Sequence, residues 1–379
     1  MIQTFTIRPK TDLKIKAPSE ERLTAEINEI SYTIAFVGPY TYSWETRVDN
    51  DIHVWKKEGG VPHNFHIGNG NSIGSDLRCV FGRNHNTKIV SSGALETHMH
   101  YSGIEKKDEG QSTFRQKGSI ILQNDIWIGD NVTIMSGCII RNGAVIAQNA
   151  HVVKDVPAYA IVGGNPARVI GWRFPKDIIE KLQMIQWWYW DHEKILRNYN
   201  YFTEDVEDFC DRFYDEAKRQ FEKLSLRRNV RDDAYLVYVD YYENYSSYPT
   251  IIEEFLDAFF CDDCKRLILF VQNDAEGVNI DEQAVERLKT LIEDVNGSLE
   301  IKCCLELAVG DREKAISCLL ESSHFITTRT YNTVYTTCLA DRFGIEIISG
   351  VDKNIVFKSD GYNMFREPDH KVIFKKREL

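Results

Sequence analysis

Leu122-Gln123-Asn124-Asp125-Ile126-Trp127-Ile128-Gly129-Asp130-Asn131-Val132-Thr133-Ile134 opens the most ordered part of the chain. From here to residue 152 an aliphatic side chain returns every six positions: Leu122, Ile128, Ile134, Ile140, Ile146 and Val152. Four places after each comes a second small or β-branched residue: Ile126, Val132, Cys138, Ala144, Ala150 and Val156. A period of six matches neither a helix nor a plain strand. It matches a coil that turns a corner every six residues, so that three hexads close one triangular turn. Each repeat-start Ile or Val then points inward and stacks on its counterparts, and the intervening Gly, Asn and Asp take the strained corners.

Upstream the same period returns in Ile67-Gly68, Ile73-Gly74 and Cys79. Residues 83–118 break it. An insert leaving a regular coil is a natural carrier of function, because the scaffold fixes its two ends.

The whole chain has 379 residues, enough for two or three domains. With 43% hydrophobic and 27% charged residues it has the composition of a folded globular protein. Apolar runs such as 267–271 fall far below the ~20 residues of a membrane helix, and the first residues lack the order of a secretory signal. A cytoplasmic protein is expected. The net charge of −11 opposes a nucleic-acid partner. Nine cysteines, an odd number, read as free thiols in a reducing compartment. The lone Cys261-Asp262-Asp263-Cys264 lacks a second ligand pair, so structural thiols and no metal are expected there, and Cys303-Cys304 reads as the end of a core strand.

A helical stretch is expected over 175–198 and another over 203–224, with a linker near 227–233. Strands at 235–239, 267–271, 299–303, 325–328 and 345–349 then alternate with helices at 250–260, 281–295, 311–320 and 333–342. That alternation predicts a parallel sheet covered by helices, an α/β Rossmann-like domain without a GxGxxG motif. A ligand of such a sheet belongs beyond the carboxyl ends of the strands, near Asp240, Gln272-Asn273 and Thr328-Arg329. The expected organisation is an N-terminal segment 1–30, a coil domain 31–172, helices and linker 173–232, a Rossmann-like domain 233–351 and a loosely packed tail 352–379.

Four stretches occur in an order that resembles a known family: Val37-Gly38-Pro39-Tyr40-Thr41-Tyr42, Asn84-His85, Asn124-Asp125-Ile126-Trp127-Ile128-Gly129, and Val162-Gly163-Gly164-Asn165-Pro166-Ala167-Arg168. With the helix bearing Trp187-Trp188, they make residues 35–198 similar to hexapeptide-repeat acetyltransferases of the xenobiotic branch, which acetylate chloramphenicol or streptogramin A. Bacterial polysaccharide O-acetyltransferases are closely similar. The resemblance implies a left-handed parallel β-helix, a homotrimer with its active sites between subunits, and acetyl-CoA as co-substrate. It implies His85 as the general base, a role imidazole suits because its pKa lies near ~6.5. Trp127 matches a position beside that His and the donor arm. Gln148, Lys154, Gly163, Gly164, Asn165 and Arg168 match the donor groove, and Tyr40 and Tyr42 match aromatic residues near the acceptor. His98 and His100, in the insert, are held as acceptor-pocket or surface residues. A backbone N–H, with Gly118 as a candidate, would stabilise the developing oxyanion, and Asp76 or Asp49 would orient the imidazole.

One departure limits the transfer. The insert reads Ser91-Ser92-Gly93-Ala94-Leu95-Glu96-Thr97-His98-Met99-His100-Tyr101, without the Pro-Phe segment that shapes the acceptor pocket of family members. The antibiotic acceptor is therefore not carried over. Residues 325–348 also resemble the C-terminal half of GT-B glycosyltransferases or polysaccharide pyruvyltransferases, through Phe325-Ile326-Thr327-Thr328-Arg329-Thr330-Tyr331-Asn332 and the strand–helix order. Together these point to O-acetylation of a sugar hydroxyl on a bacterial surface polysaccharide or its precursor. A xenobiotic acetyltransferase, a glycan-binding scaffold and a glycosyltransferase are the alternatives.

Overall fold

The structure is a computed structural model that describes residues 2–7, 21–27, 30–50, 65–81, 84–85, 90–92, 95, 99, 102–103, 114–115, 117–273, 282–298, 300–351, 355 and 357. The hexads wind into a three-sided coil. Its first side stacks the strands Phe65–Ile67, Ile120–Leu122 and Ile139–Ile140 in parallel. The second stacks Ser72–Ile73, Trp127–Ile128, Val145–Ile146 and Ala160–Gly163. The third stacks Leu77–Phe81, Thr133–Met135 and His151–Val152.

Register converts the sequence period into inward columns. Val37, Ile67, Leu122, Ile140 and Val156 form one column. Ile73, Ile128, Ile146 and Val162 form the second, and Val48, Cys79, Ile134 and Val152 the third. All of these side chains are buried in one core. Asp76, Asp125, Asn131 and Asn149 take positive φ angles of 55–61° at the corners, where Asx side chains tolerate the left-handed region. Gly137 (φ 79°) is required for a further reason: a Cβ there would meet the Lys117 carbonyl oxygen at 1.9 Å.

The strand Ile30–Val37 extends the first side and pairs antiparallel with Glu21–Ile27. Tyr42–Asn50 extends the other two sides and pairs antiparallel with Ile2–Ile7. After Phe81 the chain leaves the stack through a short hairpin, Asn84–His85 against Phe114–Arg115, and rejoins it at Ile120.

Helices follow: Lys176–Ile185, His192–Arg197 and Val206–Ser225. The expected single helix over 175–198 is broken at Gln186, whose left-handed φ of 49° closes the first helix, and Trp187–Tyr189 forms a 3₁₀ turn. Trp188 of that turn is buried in one core cluster with Ile185, Phe209 and Phe213.

The second sheet has five parallel strands in the spatial order Cys304–Gly310, Arg266–Gln272, Arg231–Tyr238, Ser322–Thr327, Glu346–Ser349. Sequence order 3-2-1-4-5 is a doubly wound arrangement. Tyr235, Val237, Leu267, Leu269 and Val271 face the helices Tyr248–Phe259 and Glu282–Gly297. Ala234, Leu236, Tyr238, Ile268 and Phe270 face Arg312–Glu321 and Thr333–Phe343.

Three local expectations are corrected. The strand expected at 299–303 lies at Cys304–Gly310, where Leu305 pairs with Leu267, so Cys303 precedes the strand instead of ending it. The first strand begins at Arg231, inside the expected linker. In the expected loose tail, Ile355 and Phe357 are buried against the helix Tyr248–Phe259, and Tyr235 Oη donates to the Phe357 carbonyl at 3.0 Å. Among the described residues, no helix is long and apolar enough to cross a membrane.

Coil and second sheet share one core. Ile121 and Ile139 point outward from the first side of the coil, yet both are fully buried, among Val334, Cys338 and Leu339. Each such burial contributes about 1.5–3 kcal/mol. The first side of the coil is thereby covered, and the other two remain.

Candidate active site

The insert departs at the end of the third side, and His85 lies there, paired through its backbone with Phe114. His98 and His100 lie outside the described residues. Gly118, at the return, has a positive φ of 87°, and its carbonyl accepts from Gly137 N at 3.0 Å. Asp76 receives Arg47 Nη2 at 3.0 Å, so its carboxylate is engaged with an arginine. The side chain of Asp49 lies outside the described residues.

Trp127 occupies an outward position on the second side, between Ser72 and Val145, while its neighbour Ile128 points in. The indole is 58% exposed, which excludes core packing within this chain. Tyr42 is the next rung beyond Ser72, and its hydroxyl accepts a hydrogen bond from Ser72 Oγ. Tyr42, Ser72 and Trp127 thus stand on three successive rungs of one face. Tyr40 is placed differently. Its φ is 61° and its hydroxyl bonds His192 Nδ1, with the two rings stacked at 6.1 Å. Burial, and then Asp191, raise the Tyr40 pKa.

One corner further along lies a groove of about 170 Å³, lined by Lys154, Asp155, Val156, Pro157 and Arg168 among others. The turn from Ala160–Gly163 to Arg168–Trp172 carries Gly164 at φ 92°, exposed, with its carbonyl accepting from His151 N at 2.9 Å. Asn165 is exposed on the same turn. Two cations and a glycine-exposed backbone beside an apolar floor suit a ligand with phosphate groups and an aliphatic arm. Gln148 is exposed at a corner above Gly129, where an added Cβ would meet Gln148 N at 2.8 Å.

Sequence reasoning missed the polar groups beneath this groove. Asp155 Oδ1 accepts from Ile139 N at 2.9 Å and Oδ2 from Arg141 Nη1 at 3.0 Å. Asp341 of the helix Thr333–Phe343 takes the other side of the same guanidinium. Asp155 directly follows Lys154, which was the available signal; the partnership with Asp341 had none.

At the carboxyl edge of the second sheet, Arg329 and Glu243 reach the coil and the neighbouring polar groups bond within the second half. Asp240 accepts from Ser247 N and Tyr248 N at 3.0 and 3.1 Å, at the start of the helix Tyr248–Phe259. Thr328 Oγ1 donates to the Tyr238 carbonyl, and Arg329 Nη2 donates to the Thr33 carbonyl of the coil at 2.8 Å. Glu243 receives Thr33 Oγ1 at 3.1 Å and pairs with Arg22. Gln272 bonds Asn332, and Asn273 N donates to Gly310 O. Of the residues expected near a ligand there, Arg329 reaches the coil, whereas Asp240, Thr328, Gln272 and Asn273 bond within the second half. Cys261 and Cys264 are exposed, not packed as structural thiols. With one ligand atom each, Asp262, Asp263 and Cys264 lie within 4.8 Å of one another at the surface.

His66 is buried in this junction, stacked on Phe36 at 5.1 Å. Burial, then the neighbouring Arg329, lowers its pKa to about 3. The folded state therefore keeps the ring neutral while the unfolded chain protonates near ~6.5, so stability falls as pH drops from about 6.5 toward 3. Replacing His66 with Phe, which keeps the stack, is expected to remove about 3 kcal/mol of the stability lost between pH 7 and pH 4. Urea unfolding of both proteins at the two pH values measures it.

The fold and groove define a class, parallel β-coils built from hexapeptide repeats, and the relatives can be named. No protein-family model matches the chain. Ninety residues are 48% identical to a protein named a probable macrolide acetyltransferase from Lysinibacillus sphaericus, covering 24% of this chain and 50% of that one. A chloramphenicol acetyltransferase of Klebsiella aerogenes is 46% identical over 82 residues, covering 22% and 39%. Another from Agrobacterium fabrum is 37% identical over 131 residues, covering 34% and 61%. The chain spans about half the length of these curated relatives. Among solved structures, a hexapeptide-repeat-containing acetyltransferase of Vibrio cholerae aligns at a TM-score of 0.23 and 26% identity, covering 30% of this chain and 53% of that one.

Proposed function

We propose that this chain is an acetyl-CoA-dependent O-acetyltransferase whose acceptor is a sugar hydroxyl of a bacterial surface polysaccharide or its precursor. The observation that carries the reading is the groove lined by Lys154 and Arg168, in a hexad coil similar in sequence to named acetyltransferases. When bound, the co-substrate supplies an activated acetyl thioester. Lys154 and Arg168 hold its phosphates, the Gly163-Gly164-Asn165 turn and Gln148 bound its path, and Trp127 borders the reacting end. His85 takes the proton of the acceptor hydroxyl as that oxygen bonds to the acetyl carbon. The carbon–sulfur bond breaks, and the proton passes to the departing thiolate. A backbone N–H, with Gly118 as the candidate, faces the carbonyl oxygen as charge gathers on it. Tyr42 flanks the acceptor, and His98 and His100 of the insert are carried as acceptor-pocket or surface residues; Tyr40, bonded to His192, holds the helix His192–Arg197 against the coil.

The coil is read as left-handed and the protein as a cytoplasmic homotrimer, with coil at 31–172 and a Rossmann-like domain at 233–351. The outward column Trp127, Val145, Ile161 and the 67% exposed Ile170 make an apolar stripe on the second side of the coil. Such stripes are what subunits cover. With the first side taken by the second sheet, copies meet through the remaining two.

A second reading, acetylation of a xenobiotic, is favoured by the names of the relatives, which specify macrolide and chloramphenicol. Free-thiol release from acetyl-CoA, measured against capsular sugars, chloramphenicol and a macrolide, separates the two. Sugar-dependent release is expected. Release with the antibiotics alone selects the second reading, and acceptor-independent background with every compound contradicts both.

A further inference from the structure

The second half touches the coil at many points, and the contact made by Asp341 of the helix Thr333–Phe343 leads to the donor groove. Asp341 receives Gln123 Nε2 at 2.8 Å and both edges of the Arg141 guanidinium, Nε and Nη2, at 3.2 Å. Arg141 spends its remaining terminal nitrogen on Asp155 at 3.0 Å. Asp155 stands in the groove lining beside Lys154, fixed from its other oxygen by Ile139 N. The two-pronged contact is the geometry in which a guanidinium has the least freedom. Side-chain exposures of 15% for Arg141 and Asp155 and 27% for Asp341 keep the three groups largely out of water. Burial opposes the charge on Arg141, yet Asp341 and Asp155 together hold its pKa above the ordinary arginine value. Burial raises the Asp155 pKa, against the pull of Arg141.

We propose that Asp341 is a positioning residue for the donor groove: it clamps Arg141, which fixes Asp155 and with it the wall that carries Lys154. The second sheet is then a working part of the acetyl-donor site, and not an appended module. This rests on the reading of the groove given above.

Two effects of removing Asp341 have opposite signs. Loss of an anion near a phosphate-binding groove tightens donor binding, whereas loss of the clamp loosens it. The proposal requires the second to win. In Asp341→Asn, which keeps the side-chain shape, the Kd for coenzyme A by titration calorimetry and the KM for acetyl-CoA are expected to rise about five- to tenfold, with kcat within twofold. Asp341→Glu, which restores the carboxylate, is expected to recover most of the affinity. Arg141→Lys keeps the charge but not the fork; it is expected to weaken binding similarly, and the double variant no more than either alone. An unchanged or lower Kd in Asp341→Asn, or additive effects in the double variant, overturns the proposal while leaving the acetyltransferase reading intact. Failure of the wild-type chain to bind coenzyme A overturns both. Should Asp341→Asn not fold, Arg141→Lys carries the same test by the same two constants.

Discussion

Replacing His85 with alanine is expected to lower acceptor-dependent acetyl transfer by about 10²–10⁴-fold, the contribution of a positioned general base. A sugar hydroxyl is a weak nucleophile at neutral pH, and the proton must leave as the oxygen attacks. Imidazole, with a pKa near ~6.5, is the side chain best matched to that task. The fold is expected to survive, because His85 sits on a two-residue strand of the hairpin that leaves the stack and not in an inward column. Donor binding is expected to survive as well, since the groove is made by Lys154, Arg168 and their neighbours. Initial rates of thiol release, the Kd for coenzyme A and the unfolding midpoint separate these quantities. A variant with unaltered acceptor-dependent turnover would mean that His85 is not the base.

The second large effect concerns stability. Ile134 is fully buried between Cys79 and Val152 in the third column. Its replacement by alanine removes three carbons from a stack whose backbones are held at strand spacing by ladder hydrogen bonds, so the gap cannot close by collapse. A loss of about 2–5 kcal/mol is expected. Thr133, one residue earlier, points to the other face of the same strand, and Thr133→Ala is expected to cost less than about 1 kcal/mol. Urea unfolding of the pair tests the register itself: equal losses would mean that the hexad period does not set which side chains face in.

Much of the coil was legible because its physics is one-dimensional. Each rung contacts only the rungs above and below, so a single period names every inward residue from Leu122 to Val156, and even Cys79 falls into the third column. The second sheet was legible in its alternation but less so in its edges. The segment 299–303 alternates apolar and polar residues as a strand does, yet pairing with Arg266–Gln272 selects Cys304–Gly310, which puts Leu305 and Ala308 inside. The break at Gln186 was hidden for a similar reason: it brings Trp188 into a core cluster built with Phe209 and Phe213, far along the chain. Least legible was the junction. Arg329 and Thr33 lie 296 residues apart, Asp341 and Arg141 lie 200 apart, and no local pattern marks either pair. Of the candidate site, Lys154 and Arg168 were found through their motifs and do line one groove, and Trp127 stands exposed where a ligand or a second copy can reach it. Asp155 and Asp341 were missed because their roles arise only when coil and sheet are packed together.

The central claim is that the coil sets the His85 imidazole beside the acetyl donor held in the Lys154–Arg168 groove. A crystal structure of the protein with coenzyme A measures this directly. The account predicts the coenzyme sulfur within about 5 Å of an imidazole nitrogen of His85, close enough for a hydroxyl to bridge the two, with phosphates at Lys154 and Arg168. A coenzyme bound elsewhere, or a sulfur far from the His85 ring of every copy in the assembly, would contradict it.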